Sequence, residues 1–254
     1  MATPMDDVLT PDVVRRLLAE ADGAAVQGIA VLGSVARGEA SPWSDIDVKS
    51  MVGDDADKWP TRPAFIGRRL VMYSSATAAE SWAELRRPDK AIWAVPAFTE
   101  MRIVLDRDGE LARLQAAARS FDYDALRPAA ATYLRETAGH ACEYIFKIRD
   151  GLATRDESKV LHAAASLVAK CERIASVAFL VPIRTENEYY RKVRAAAGPA
   201  WTSAHRAAFG LDGGDAFAQA TASCTLFRET MRLVEDRLDD GARAIVGRTL
   251  EIAP

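Results

Sequence analysis

A change of hydrophobic rhythm near residue 121 limits the fold more than any other feature of this sequence. Up to that point short apolar runs alternate with amphipathic segments. Beyond it, the long segments repeat with the 3.6-residue period of a helix and carry almost no strand signal. A chain with this break is neither one uniform bundle nor one sandwich, because sheet and helices are segregated along it. The expectation is an α+β protein. A small mixed sheet with flanking helices fills residues 1–123, and an all-α helical bundle fills 124–254, with the boundary at Phe121 to Arg127.

Within the first part, Thr10-Pro11-Asp12 reads as a cap, a first-turn proline and a dipole-favoured acid, opening a helix that ends near Asp22-Gly23. Val26 to Leu32 is an apolar run halted by Gly33, which suits a buried strand entering a turn. Asp45-Ile46-Asp47-Val48 alternates toward Val52, so a strand here puts Asp45 and Asp47 on one face and Ile46 and Val48 on the other. Gly53 to Pro63 reads as a polar loop. Arg68 to Ser74 is a third strand with Leu70 and Met72 facing the core, Ala76 to Arg87 a helix, Met101 to Leu105 a fourth strand, and Glu110 to Ser120 a helix. In the second part helices are expected at Pro128 to Asp150, Glu157 to Leu180, Glu186 to Ala197 and Asp215 to Leu238, with Gly151 and Pro182 as punctuation.

Composition removes several classes of function. A net charge of −3 gives no electrostatic reason to bind nucleic acid. No apolar run has the roughly 18 residues of a membrane span, and the N-terminus lacks the basic and apolar regions of a signal peptide, so a cytoplasmic protein is expected. Cys142, Cys171 and Cys224 lie far apart without a Cys-x-x-Cys pair, and His140, His162 and His205 are scattered. Neither a zinc site nor a disulfide framework follows.

The segment Gly33 to Asp47 concentrates the chemistry. A strand ending in glycine lets the backbone approach a triphosphate. Ser34 adds a hydroxyl, and Arg37, one helical turn on, is within reach of the same phosphate. Two carboxylates on one strand face repel each other unless a cation lies between them, and Mg²⁺ prefers a few carboxylates together with phosphate oxygens. The cradle and the acid pair therefore explain each other. Gly33-Ser34-Val35-Ala36-Arg37-Gly38 followed by Ser44-Asp45-Ile46-Asp47 resembles the signature of polymerase-β-like nucleotidyltransferases, and the layout resembles the kanamycin-type aminoglycoside nucleotidyltransferases.

That resemblance implies transfer of a nucleoside monophosphate, AMP from ATP, to a hydroxyl of a small molecule such as an aminoglycoside, with release of pyrophosphate. It implies phosphate binding by Gly33, Ser34, Arg37 and Ser44, one or two Mg²⁺ ions on Asp45 and Asp47, and a homodimer. Glu143-Tyr144-Ile145-Phe146-Lys147 is similar to the family's helical segment bearing a general base and, four residues on, a phosphate-contacting lysine. On a helix, residues four apart lie about 40° apart around the axis, so Glu143 and Lys147 can serve one site; the same spacing is also that of an exposed ion pair. The sequence departs from the family at the third carboxylate. The matching position reads as Arg69, and no acid occurs from Lys58 to Ala79. Three accounts stand: Glu143 acts with a single Mg²⁺, Glu100 substitutes, or Arg69 marks a protein that binds nucleotide without transferring it.

Overall fold

The structure, a computed structural model, describes residues 8–20, 26–55 and 62–254. The chain divides into two compact units, one of Met1–Asp122 with Pro182–Glu186, the other of Tyr123–Val181 with Asn187–Pro254. The return of 182–186 to the first unit has no counterpart in the sequence-based division at 123/124.

In the first unit, helix α1 (Pro11–Glu20) begins where Thr10 Oγ1 accepts the Val13 amide at 3.3 Å. The expected end near Asp22-Gly23 lies outside the described residues. Strand β1 (Val26–Leu32) runs into the single turn α2 (Gly33–Ala36), and β2 (Ile46–Val52) returns antiparallel to β1. A hairpin follows, β3 (Arg62–Ile66) and β4 (Arg69–Thr77), joined through Gly67-Arg68. The expected polar loop, Gly53 to Pro63, overlaps the start of β3, where Arg62 and Pro63 are exposed, as suits an edge strand that must discourage further pairing.

Next come α3 (Ala78–Arg86), α4 (Pro88–Glu100), β5 (Arg102–Asp106) and α5 (Glu110–Arg119). A capping box opens α3, with Thr77 and Glu80 each accepting the other's amide at 3.2 and 2.9 Å. Helix α4 carries Pro96 in its interior, and no element was expected over these residues. The sheet order is β3-β4-β2-β1-β5, with only β2 and β4 parallel.

One face of this sheet buries Ile29, Val31, Ile46, Val48, Val71 and Tyr73 against Val13 and Leu17 of α1. The residues of β4 that face the core are thus Val71 and Tyr73. This corrects the expected assignment of Leu70 and Met72 to the core, because the parallel register pairs Ile46 with Val71 and Asp47 with Met72, and paired residues share a face. Leu70 and Met72 stand on the face of the two acids. On the other side of β1, Gly28 admits Leu111 of α5, whose Cδ1 would lie 2.6 Å from a Cβ at that position.

The second unit begins with a 3₁₀ turn at Tyr123–Leu126, followed by α6 (Arg127–Thr154) and α7 (Glu157–Ala178). It continues with α8 (Glu186–Ala197), whose first residue belongs to the first unit, then α9 (Pro199–Ala208), α10 (Ala216–Val234) and α11 (Asp240–Ile252). Asp156, Asp215 and Asp239 cap α7, α10 and α11. Helix α7 packs on α6 and α10, α10 on α9, and α11 on α6. Gly151 does not interrupt α6 as expected: a Cβ there would lie 2.7 Å from Val160 Cγ1, so the glycine serves close helix packing. The helix stops at Arg155, in the left-handed conformation. Cys142, Cys171 and Cys224 are all buried and unbridged, and burial pushes the thiols of Cys171 and Cys224 up to about 12. Among the described residues no helix is long and apolar enough to cross a membrane.

Candidate functional site

The site is built at the end of β1. Leu32 pairs with Asp47, so the turn that follows lies directly beside the second carboxylate. Gly33 adopts φ +66°, and a Cβ there would lie 2.5 Å from Asp47 Oδ2. Glycine is required twice over, by the backbone angle and by the approach of the acid. Leu32, the residue before α2, gives it no side-chain cap. Among the described residues no hydrogen bond or ion pair is made by the Ser34 hydroxyl or by the carboxylates of Asp45 and Asp47. Burial, first, and repulsion from Asp45 and Glu186 raise the Asp47 carboxyl above its ordinary range, against the nearby charge of Arg37. Hard oxygen donors clustered beside a tight glycine turn are the set that suits Mg²⁺ with phosphate. Among the described residues, no three His, Cys, Asp or Glu side chains already converge as a metal site.

Ser44 and Arg69, both singled out in the sequence, act together on the loop leading to Asp45. Ser44 Oγ accepts the Ser41 amide at 2.8 Å, and Arg69 Nη1 donates to the carbonyls of Ser41 and Ser44 at 2.7 and 3.1 Å. Arg69 is therefore a brace for the approach to Asp45. Its expected place, at the position of a third metal ligand, is corrected by the register: Met72, opposite Asp47, stands on the acids' face. With Leu70 and Met72 there, β4 supplies that face no carboxylate.

Arg37 was expected on phosphate. Its side chain is only 7% exposed and makes contacts within the protein: Nε donates to Glu39 at 2.6 Å, and Nη1 to the carbonyl of Arg184 at 3.2 Å. The bond from Arg37 holds the Glu39 carboxyl below its ordinary range. Arg184 in turn bonds Glu100 at 2.7 Å and pairs with Glu39 at 3.4 Å, while the Ile183 amide donates to the Ile92 carbonyl at 2.7 Å. Segment Pro182–Glu186 is thus strapped to the first unit. Glu100, a candidate substitute acid, is part of this strap's anchorage.

The strap ends at Glu186, an exposed acid close enough for its charge to act on Asp47. Sequence reading missed it. Nothing in local spacing links a residue so far downstream to Asp47; the only available sign was an acid opening a helix just past the Pro182 punctuation. Glu143 and Lys147 lie in the second unit, on an exposed stretch of α6, ion-paired to each other at 3.2 Å, with the lysine 4.8 Å from the Tyr144 ring.

Comparison with known proteins adds the family context. Residues 12–55 match the family model of a nucleotidyltransferase domain. The matched span contains Gly33, Ser34, Asp45 and Asp47. No curated protein matches the sequence. Among solved structures, a nucleotidyltransferase-like protein from Exiguobacterium sibiricum 255-15 is similar with a TM-score of 0.54 at 13% identity, covering 94% of this chain and 77% of that one. The fold, a small mixed sheet followed by helices, is one shared with a nucleotidyltransferase-like protein.

Proposed function

We propose that this protein transfers a nucleoside monophosphate from a nucleoside triphosphate to a hydroxyl of a small molecule, releasing pyrophosphate. The observation carrying the proposal is the juxtaposition of the Gly33-Ser34 turn with two carboxylates, Asp45 and Asp47, that have no protein partner among the described residues. In this reading the amides of the turn and the Ser34 hydroxyl hold phosphate oxygens. Asp45 and Asp47 hold Mg²⁺, which when bound offsets the charge of the triphosphate and polarises the reacting phosphorus centre. Arg37 contributes charge from behind the site rather than a direct phosphate contact, and Ser44 with Arg69 fixes the loop that aims Asp45.

The acceptor oxygen forms a bond to the α-phosphorus as the bond to the departing pyrophosphate breaks, and its proton passes to a carboxylate. Glu143 is the proposed acceptor of that proton and Lys147 the proposed charge partner, both on the family resemblance. To these the reading adds Glu186 as the negative charge that β4 does not supply. AMP as the group transferred, an aminoglycoside-like acceptor and a homodimer belong to the same proposal. A binding protein without transfer is the second reading, favoured by the absence of an acid on β4.

The test is incubation with labelled ATP, Mg²⁺ and a panel of hydroxyl acceptors. Labelled product with pyrophosphate is expected, and the Asp45→Ala, Asp47→Ala variant should yield neither. Saturable ATP binding without product on any acceptor would favour the second reading.

A further inference from the structure

The second unit contains a charged chain that the proposed reaction does not use. His205 on α9 is fully buried and stacks on Trp201, ring centroids 4.7 Å apart. Its Nδ1 receives both Nε and Nη2 of Arg194, on α8, at 3.1 and 2.9 Å. A guanidinium only donates, so Nδ1 is the acceptor and the ring proton sits on Nε2, which donates to Glu172 Oε1 at 2.8 Å. Glu172, on α7, is itself buried. The sequence Glu172, His205, Arg194 thus holds one edge of the guanidinium in a fixed place.

Beside it lies a groove of about 700 Å³ between α8 and α9, lined among others by Asn187, Tyr190, Arg191, Arg194 and Thr202. None of its lining side chains is acidic. Arg191 and Arg194 give it positive charge, although Arg191 also pairs with Glu188 at 3.5 Å. The partly exposed ring of Tyr190 also lines it, packed edge-on against Phe209 at 5.3 Å, with the Arg194 guanidinium 5.8 Å from its centroid. Nη1 of Arg194 has no hydrogen-bond partner among the described residues. A buried ionic chain is a costly means of packing helices, since apolar residues of similar volume often serve at least as well. Locking an arginine at the surface of a groove has a ready use, because a preorganised fork meets an oxyanion with little further ordering.

We propose that this groove binds a small molecule carrying a carboxylate or phosphate group on a flat ring, the oxyanion on Arg194 and the ring against Tyr190. This binding is independent of whether the protein transfers a nucleotide.

Isothermal titration of the full chain with benzoate, phenyl phosphate and kanamycin tests the proposal. At least one aromatic anion should bind the wild type, and the better probe identifies the oxyanion preferred. Arg194→Met should weaken it by about tenfold to a hundredfold. Arg194→Lys, which keeps the charge but not the fork, should fall between, with an unchanged circular dichroism spectrum showing that the fold is intact. Asp45→Ala with Asp47→Ala should leave this binding as it is. The proposal fails if neither anion binds the wild type, if Arg194→Lys and Arg194→Met bind as the wild type does, or if kanamycin binds in an Arg194-dependent manner.

Discussion

The two units treat charge in opposite ways. In the second, Glu172 is buried, and its carboxylate is answered by His205 and then by Arg194 within hydrogen-bond distance at each step. In the first, Asp45 and Asp47 are half-buried, and among the described residues neither makes an ion pair or hydrogen bond; the nearby charge of Arg37 only partly offsets the burial of Asp47. A buried polar group that is fully satisfied positions its neighbours; one left unanswered marks where something from outside the chain belongs. The contrast separates support from site without reference to any motif.

The contrast is most severely strained by removing the unanswered acids. Asp45→Ala with Asp47→Ala should reduce transfer from labelled ATP by roughly a thousandfold while the protein stays folded by circular dichroism. Activity within tenfold of wild type would break the assignment. On the satisfied side the expected result is reversed, a loss of stability. His205→Ala leaves Arg194 and Glu172 unpaired and should cost about 3–5 kcal/mol in urea denaturation. A cost below about 1 kcal/mol would mean that the chain is not the support it resembles.

Arg69→Met tests the brace. Two carbonyls, of Ser41 and Ser44, lose a charged donor, and a destabilisation of about 1–3 kcal/mol is expected, together with weaker cation binding at Asp45. If Arg69 stood at a metal position, cation binding would rise instead. Glu186→Gln should weaken cation binding by about tenfold, without loss of fold, if the acid acts on the site through its surroundings.

The smallest effect concerns the free protein. Asp47 has a carboxyl raised above its ordinary value of 3.8, chiefly by burial. Between that value and the raised one the folded state holds a proton that the unfolded state has lost, so this group makes stability fall as pH rises through the window. Asp47→Asn should therefore raise the melting temperature of the nucleotide-free protein at neutral pH. The gain should shrink as the pH approaches 3.8 in a series of melting curves.

Much of this was legible in the sequence because it depends on local rules. The glycine after β1, the alternation that puts Asp45 and Asp47 together, and the shift to helical periodicity each follow from nearest neighbours. What escaped depends on tertiary placement. The face of β4 is fixed by its parallel register with β2, which no property of Arg68 to Ser74 reveals by itself. Helix α4 was not expected, and its interior Pro96 is tolerated only where surrounding packing holds the turn. Arg37 looked like a phosphate ligand until Glu39 and the Arg184 carbonyl were seen to take its donors, and Glu186 was out of reach of any spacing argument. Gly151 read as a break although the requirement came from Val160 on another helix.

The central claim, that Asp45 and Asp47 await a cation brought with a nucleotide, is tested most directly by titrating Mn²⁺ into the protein saturated with α,β-methylene ATP and following free Mn²⁺ by electron paramagnetic resonance. The wild type should sequester the ion, and the Asp45→Ala, Asp47→Ala variant should not. Equal sequestration by both proteins would contradict the account.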